Sequence, residues 1–211
     1  MGKMIVLAGN VGAGKSTFTR VLSERLGFTP YYESVADNPF LEDFYKDQKK
    51  WSYHLQTFFL FHRFNSIKDI IDSGTDAILD RSIYEDAEIF ARNLYLTGKM
   101  SEREYKTYTQ IFYTMLEFLK KPDLLIYIKT SVDTVVKRIA KRGREMEMQV
   151  PIEYWQQLDN LYKDWIENYN ESKIYVVDGD EIDIVENPEY IDKIVNDINE
   201  ILNINEVDEV I

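Results

Sequence analysis

The stretch VLAGNVGAGKSTFTRVL, residues 6–22, decides the fold class. It fits the pattern G-x-x-x-x-G-K-[ST] from Gly9 to Ser16, with an apolar run before it and a helical pattern after it, which is the context the motif requires. In such loops backbone N–H groups curl around phosphates, and the following helix adds its positive N-terminal end. Lys15 then reaches the terminal phosphates and the Ser16 hydroxyl ligates Mg²⁺. The predicted site for ATP or GTP comprises Gly9, Asn10, Val11, Gly12, Ala13, Gly14, Lys15, Ser16 and Thr17.

Composition limits the other classes of function. The chain has 211 residues, is 45% hydrophobic and carries a net charge of −12, which argues against a nucleic-acid or anionic-membrane partner. It has no cysteine and two histidines, so we expect neither disulfides nor a protein-ligated zinc site. The apolar run 4–8 is too short for a signal peptide, and no window approaches a membrane span. We therefore expect a soluble cytoplasmic protein.

Strand-like runs alternate with helical patterns along the chain. This alternation predicts a parallel sheet covered on both faces, in a three-layer α/β fold with ligands at the carboxyl ends of the strands. We expect a single domain over 1–203 and an acidic tail over 204–211. The predicted strands are 4–9, 30–34, 76–80, 123–130 and 173–179. The predicted helices are 15–26, 39–72 with a break near Gln48, 84–95, 101–121, 131–141, 151–170 and 187–203.

A basic cluster separates this chain from other phosphate-loop proteins. The Asp-x-x-Gly and Asn-Lys-x-Asp motifs of GTP switches are absent, as is the Leu-Ser-Gly-Gly signature of transport ATPases. Arg138 and Arg142 lie on one helix face at i and i+4, and Arg144 follows Gly143. We interpret this cluster as an arginine-rich lid over about 142–150 that closes on the transferring phosphoryl group. The alternative is a solvated basic helix end that complements its dipole.

A lid that excludes water favours a small-molecule kinase over a hydrolase. A nucleotide acceptor brings its own phosphate and needs further cationic clamps, as in a thymidylate-kinase type of nucleoside monophosphate kinase. A neutral nucleoside acceptor instead needs a base for its hydroxyl. A non-catalytic regulator that binds a dNTP would keep the phosphate loop without needing the base or the lid.

Four further segments are similar to the deoxyribonucleoside kinases, with the bacterial deoxyadenosine, deoxycytidine and deoxyguanosine kinases nearest. They are YESVADNPFLEDFY (32–45), WSYHLQTFFLFHRF (51–64), LDRSIYEDAEIFARNLY (79–95) and RIAKRGREMEMQVPIEYW (138–155). The resemblance runs from about residue 4 to 180. It implies the P-loop kinase fold with a five-stranded parallel sheet, ATP and Mg²⁺ as cofactors, and 5′-phosphorylation of a deoxynucleoside. It also implies a homodimer formed through 84–95 and 104–119, and a dNTP as feedback inhibitor.

The resemblance assigns the residues around the phosphoryl group. Glu33 would take the proton of the 5′-hydroxyl, and Arg81 would hold Glu33 and the 5′-oxygen. Asp80 would lie near Mg²⁺ and is the rival for the role of base, whereas a plain Asp–Arg ion pair is the alternative for both Asp80 and Arg81. With Lys15 and the three lid arginines, these form the predicted catalytic set.

The resemblance also assigns the nucleoside pocket. Gln56, Phe59 and Arg63 share one helix face at i, i+3 and i+7. Gln56 would pair with the base edge, Arg63 would pair with Asp86, and Phe90 would pack on the ring, while core packing is the alternative for both phenylalanines. Tyr45 and Glu147 would grip the sugar 3′-hydroxyl.

Base preference and donor contacts complete the prediction. An Asp at position 86 favours bases with an amino group or a purine edge, so deoxyadenosine ranks first, with deoxycytidine and deoxyguanosine as further substrates. The loop 177–183 would contact the adenine of ATP, with Asp178, Glu181 and Asp183 as candidates and ordinary turn residues as the alternative.

Overall fold

The computed structural model describes residues 2–32, 38–148, 150–181 and 188–204. Its centre is a five-stranded sheet of order β2-β3-β1-β4-β5 in which all paired neighbours run parallel. The strands are β1 (Met4–Ala8), β2 (Thr29–Tyr31), β3 (Ala77–Asp80), β4 (Leu124–Lys129) and β5 (Lys173–Asp178).

Helices connect the strands and cover both faces of the sheet. They are α1 (Lys15–Leu26), α2 (Leu41–Lys46), α3 (Gln48–Ser73), α4 (Ile83–Glu85), α5 (Arg92–Leu96), α6 (Glu102–Leu116), α7 (Val132–Arg142), α8 (Glu145–Met148), α9 (Ile152–Asn168) and α10 (Pro188–Leu202). A π-helical segment, Asp86–Ala91, joins α4 to α5. Within the described parts of the chain, no helix combines the length and the apolarity needed to span a bilayer.

Alternation along β1 explains the three layers. All five of its residues are buried. Met4 and Val6 pack with residues of α3 and α6, while Ile5 and Leu7 pack with residues of α1 and α10. Because successive side chains of a strand point to opposite faces, an apolar run of this kind requires helices on both sides. The predicted three-layer fold follows.

Strand register places the site. Leu7 of β1 lies beside Asp80 of β3, and Ala8 lies beside Tyr127 of β4. The phosphate loop after β1 and the polar residues after β3 therefore leave the same edge of the sheet. Ligands of open α/β sheets bind at this carboxyl edge.

The break predicted near Gln48 is present at Asp47, whose carboxylate caps α3 by accepting the Lys50 N–H at 3.1 Å. Two other predicted boundaries differ from the structure. The helix predicted to reach 121 ends at Leu116, and the chain continues in turns in which the Phe118 N–H donates to the Met115 carbonyl at 3.1 Å. The second strand is only Thr29–Tyr31, which pairs with Ala77–Leu79.

Candidate active site

A cavity of about 700 Å³ opens at the carboxyl edge of the sheet, between the phosphate loop, α3 and the segment from α7 to α9. Most of the residues that the sequence singled out line it. They are Val11, Gly12, Gly14, Lys15, Ser16, Thr17, Tyr45, Gln56, Phe59, Asp80, Arg81, Asp86, Phe90, Arg138, Arg142, Arg144 and Glu147. The fold thus gathers segments that are more than one hundred residues apart in the chain.

The phosphate loop depends on glycine at both of its ends. Gly9 has φ 154° and Gly14, which precedes α1, has φ 102°. A Cβ atom on Gly9 would lie 2.8 Å from the Ile128 carbonyl oxygen of the neighbouring strand, so only glycine fits there. The Lys15 ammonium donates to the carbonyls of Gly9 at 2.7 Å and Asn10 at 3.1 Å. The loop and its lysine therefore form one compact cradle at the start of α1, where anions bind.

Ser16 and Asp80 meet across the edge between β1 and β3. The Ser16 hydroxyl donates to the Asp80 carboxylate, and Asp80 itself is buried. Among the described residues no group of three histidines or acids could hold a metal ion. One carboxylate and one hydroxyl nevertheless fit Mg²⁺, which usually takes one or two protein oxygens and completes its shell with substrate phosphates and water.

Arg81 has an unusual backbone. Its φ is 84°, in the region that disfavours residues with a side chain, and its N–H donates to the Leu7 carbonyl at 2.9 Å. Its guanidinium lies 4.4 Å from the centre of the Phe90 ring, within cation–π range. Backbone strain of this kind costs about 1–3 kcal/mol and persists only where surrounding contacts hold it. The strained residue is the one predicted to hold the 5′-oxygen.

Two residues that the sequence reading missed surround Arg81. Glu85 Oε1 lies 3.6 Å from the Arg81 guanidinium, and the Tyr162 hydroxyl accepts from that guanidinium at 3.2 Å. The pattern S-I-Y-E at 82–85 is a capping-box signature, and it predicts that Glu85 caps a helix, which it does. It does not predict the contact of Glu85 with Arg81. No local signal marks Tyr162, because only the packing of α9 brings it here.

Of the residues predicted to contact the base, Gln56 and Asp86 line the cavity, and Arg63 pairs with Asp86 behind them. Arg63 Nε donates to Asp86 Oδ2 at 3.1 Å, and Arg63 Nη1 donates to the Asp80 carbonyl at 3.0 Å. Gln56 is only 4% exposed. Within the described residues its Oε1 atom has no hydrogen-bond partner. A buried amide with an unmet acceptor is costly unless a ligand meets it, so Gln56 fits the predicted contact with a base.

The three arginines of the predicted lid have two kinds of partner. Arg142 and Arg144 both pair with the Glu147 carboxylate, and the Arg144 distance is 3.3 Å. Burial, followed by the nearby Glu147 carboxylate, raises the pKa of Tyr45, so its hydroxyl stays protonated. Arg138 instead donates to the backbone carbonyls of Ala13 at 3.0 Å and Gly179 at 2.7 Å. It lines the cavity while bridging the phosphate loop to the turn after β5.

The turn after β5 has local hydrogen bonds. The Asp178 carboxylate accepts the N–H groups of Asp180 at 2.9 Å and Glu181 at 3.3 Å, and neither Asp178 nor Glu181 lines the cavity. These bonds fit the alternative of ordinary turn residues, and the contact of this loop with the adenine of ATP stays a prediction. Asp183 and Glu33 lie outside the described residues.

Comparison with known proteins identifies the family. A sequence model described as deoxynucleoside kinase matches residues 5–203. The chain belongs to the deoxynucleoside kinase family. Among curated relatives, a deoxyadenosine/deoxycytidine kinase of Bacillus subtilis is 40% identical, with 96% of this chain and 94% of the relative covered. A deoxyguanosine kinase of Lactobacillus acidophilus is 44% identical, with 86% of this chain and 83% of the relative covered.

Solved structures agree with the sequence relatives. A deoxyadenosine kinase of M. mycoides, solved with the products dCMP and a flexible dCDP, superimposes with a TM-score of 0.83 at 33% identity. That match covers 93% of this chain and 99% of the other. Another structure of the M. mycoides enzyme holds dATP.

These matches confirm the predicted family, the P-loop kinase fold and the enzymatic nature of the chain. The protein is a deoxynucleoside kinase, an enzyme that phosphorylates deoxynucleosides from a nucleoside triphosphate donor. The names of its relatives include deoxyadenosine, deoxycytidine and deoxyguanosine kinases. Since these names cover three bases, the base preference of this enzyme depends on the residues of its own pocket.

Proposed function

We propose that this deoxynucleoside kinase transfers the γ-phosphoryl group of ATP, bound with Mg²⁺, to the 5′-hydroxyl of deoxyadenosine. Deoxycytidine and deoxyguanosine are further substrates. The observation that carries this preference is the buried Arg63–Asp86 pair together with the Gln56 Oε1 atom, which has no hydrogen-bond partner among the described residues. Together these groups make a polar edge on an otherwise aromatic wall.

The chemistry of Asp86 supports an amino-bearing base. An ionised carboxylate only accepts hydrogen bonds, and Arg63 occupies one side of Asp86. A base that presents an exocyclic amino group, as adenine and cytosine do, can donate a further hydrogen bond to this carboxylate. Thymine presents a carbonyl and a methyl group on that side, so an acceptor would face the buried carboxylate. Gln56 can give one hydrogen bond and accept another at the neighbouring base edge.

Charge placement supports the phosphoryl-transfer step. When bound, Mg²⁺ neutralises the charge that develops on the phosphate oxygens. Lys15 at the start of α1 and the lid residues Arg142 and Arg144 supply further cations around that charge. Since the Asp80 carboxylate holds the Ser16 hydroxyl, it fits the metal side of the site. We therefore assign the role of base to Glu33.

The sugar grip and the lid share one residue. Glu147 pairs with Arg142 and Arg144 and lies close enough to Tyr45 to raise its pKa. We assign Tyr45 and Glu147 to the 3′-hydroxyl, so that binding of deoxyribose and placement of the lid arginines involve the same carboxylate. A dNTP product of the pathway would occupy both ends of the cavity and inhibit, an idea that the dATP-bound M. mycoides structure supports.

Initial rates test the proposal directly. The panel comprises deoxyadenosine, deoxycytidine, deoxyguanosine, thymidine and dAMP with ATP and Mg²⁺. Wild type is compared with Asp86→Ala and with Glu88→Ala, a control on the same π-helical segment outside the cavity lining. We expect turnover of deoxyadenosine first, none of thymidine or dAMP, and a shift toward thymidine only in Asp86→Ala. Turnover of dAMP alone would move the protein to the monophosphate kinases, and silence on all five would favour the dNTP-binding regulator.

A further inference from the structure

Glu85 is a buried acid that the reaction scheme has not used. Its side chain is fully buried. Oε2 accepts the Ser82 N–H at 2.7 Å, which closes the capping box of α4. Oε1 has different partners: it accepts the Gly9 N–H at 3.2 Å and lies 3.6 Å from the Arg81 guanidinium. One carboxylate therefore contacts the first glycine of the phosphate loop and the strained arginine together.

Tyr162 completes this arrangement from α9. Its hydroxyl lies 2.7 Å from Glu85 Oε1 and 2.8 Å from the Gly9 carbonyl, so it can donate to either oxygen. It also accepts from the Arg81 guanidinium at 3.2 Å. Burial, followed by the Glu85 carboxylate, raises the pKa of the phenol, which therefore stays protonated at neutral pH. Both backbone groups of Gly9 are thus held by the same two side chains.

A second capping box in the chain shows that this burial is not a requirement of capping. At the start of α6, Glu104 Oε2 accepts the Ser101 N–H at 2.8 Å and the Ser101 hydroxyl at 2.6 Å, and this capping box is exposed. Glu85 has the same S-x-x-E spacing but is buried, and its other oxygen contacts Gly9 and Arg81. Burying a carboxylate is costly unless it is paired. The extra contacts of Glu85 therefore need an explanation beyond the helix end.

We propose that Glu85 and Tyr162 are positioning residues for phosphoryl transfer, which hold the Arg81 guanidinium at a set distance from the phosphate loop. The proposal rests on the proposed function, in which Arg81 holds the 5′-oxygen. Since Arg81 follows β3 and Gly9 follows β1, the two could shift with their strands. The Glu85–Tyr162 pair ties them together, and a misplacement of about 1 Å between reacting groups can cost about 100-fold in rate.

Conservative variants separate positioning from stability. Tyr162→Phe keeps the ring and removes the hydroxyl, and Glu85→Gln keeps the shape and removes the charge. The matched control is Tyr127→Phe, because Tyr127 stacks on Tyr162 at 6.1 Å and its hydroxyl makes no hydrogen bond among the described residues. For Tyr162→Phe we expect kcat to fall about 10-fold and KM for deoxyadenosine and ATP to stay within about 2-fold, and for Glu85→Gln a fall in kcat of about 100-fold. Deoxynucleoside Kd by calorimetry should stay within about 2-fold in both variants.

A double-mutant cycle with Arg81→Lys provides a readout that a purely structural role would not move. If Tyr162 acts through Arg81, then Tyr162→Phe should change kcat by less than about 2-fold in the Arg81→Lys background. If the two substitutions instead lower kcat independently, so that the double variant loses the product of the two single fold-changes, the proposal is overturned. Should Tyr162→Phe not fold, Glu85→Gln enters the same cycle.

The outcomes also separate this inference from the proposed function. If the wild type turns over deoxynucleosides and both Tyr162→Phe and Glu85→Gln keep the wild-type kcat, the positioning role is overturned and the kinase activity stands. A variant that melts earlier but keeps its kcat well below its Tm would do the same, since that result indicates stabilisation alone. A wild-type enzyme without turnover on any deoxynucleoside would overturn both.

Discussion

Gln56 combines a cost in stability with a use in binding. Its buried Oε1 atom has no hydrogen-bond partner among the described residues, and such an atom costs about 1–3 kcal/mol. Functional sites are where folded proteins retain unmet polar groups of this kind. The same atom that weakens the fold is available to a nucleobase.

We therefore predict opposite effects of Gln56→Leu on stability and activity. Unfolding free energy should stay within about 1 kcal/mol of wild type or rise, because an unmet acceptor is removed. The ratio kcat/KM for deoxyadenosine should fall about 100-fold, because two hydrogen bonds to the base edge are lost. Urea unfolding and initial rates give the two quantities.

Thr57→Val is the matched control for Gln56→Leu. The Thr57 hydroxyl is also buried without a partner within the described residues, and Thr57 does not line the cavity. It should show the same stability effect with unchanged kcat/KM. Equal losses of activity in both variants would contradict the assignment of Gln56.

The π-helical segment contributes two side chains to the wall of the cavity where we propose that the base binds. It begins at Asp86 and contains Phe90, so both cavity residues lie on the one irregular part of the α4–α5 region. π-Helical turns occur mostly at functional sites. Here the irregular turn presents Asp86 to Arg63 while it places the Phe90 ring against Arg81.

The predicted lid around α8 is held by weak ion pairs. The side chains of Arg142 and Arg144 are 36% and 49% exposed, so each pair with Glu147 contributes only about 0.5 kcal/mol after screening by solvent. A carboxylate that binds both arginines weakly can hold the lid in place and still exchange partners when phosphates or a sugar hydroxyl arrive.

We predict that Glu147→Gln loosens the lid. Trypsin should cleave after Arg142 and Arg144 about 5-fold faster than in wild type, because the loss of two weak pairs totals about 1 kcal/mol. Mass spectrometry of early digestion products measures this. Glu145→Gln is the control, since Glu145 lies on the same short helix and makes no ion pair among the described residues. Equal cleavage rates in the two variants would contradict the role of Glu147 in holding the lid.

Positive side chains outnumber negative ones around the cavity, although the chain as a whole is acidic. The chain carries a net charge of −12, yet Lys15, Arg81, Arg138, Arg142 and Arg144 all line one pocket. A cationic cleft in an acidic protein attracts anionic nucleotides while the outer surface repels nucleic acids. The acidity of the chain therefore agrees with a phosphate-binding function once the charges are placed in space.

Exposed aromatic side chains support a homodimer, which we also propose. Of the aromatics on the predicted pairing helix, Tyr108 and Phe112 are core residues, whereas Tyr113 is 58% and Phe118 is 65% exposed. Phe61 of α3, which packs against α6, is 52% exposed. Aromatic side chains are enriched in the buried centres of interfaces. These exposed side chains fit the predicted contact through 104–119, to which Phe61 of α3 would add, while the part of 84–95 in the contact stays a prediction.

We predict a sedimentation mass of twice the 25.0 kDa chain mass for wild type and a shift to the single chain mass for Tyr113→Glu. The reason is that an unpaired carboxylate in a buried interface costs several kcal/mol. The control is Val176→Glu, because Val176 is exposed to a similar degree, 54%, but lies on the edge strand β5. A monomeric wild type would contradict the proposal.

The sequence by itself determined the class of protein. The spacing from Gly9 to Ser16 and the alternation of apolar strands with helices depend on backbone geometry and residue periodicity, which act over short stretches and can be read without a structure. The segments that resemble the deoxynucleoside kinases added the residues predicted to bind the base. In the structure Gln56 and Asp86 line one cavity and Arg63 pairs with Asp86.

Only the tertiary structure decided how those residues are held. Tyr162 bonds to Glu85, which lies 77 positions away in the chain. Arg138, which the sequence placed with the lid arginines, donates to the carbonyls of Ala13 and Gly179. The turn at Asp178 likewise closes on itself. Such contacts depend on the packing of whole elements against one another, and no local pattern encodes which distant hydroxyl or carbonyl a buried side chain will meet.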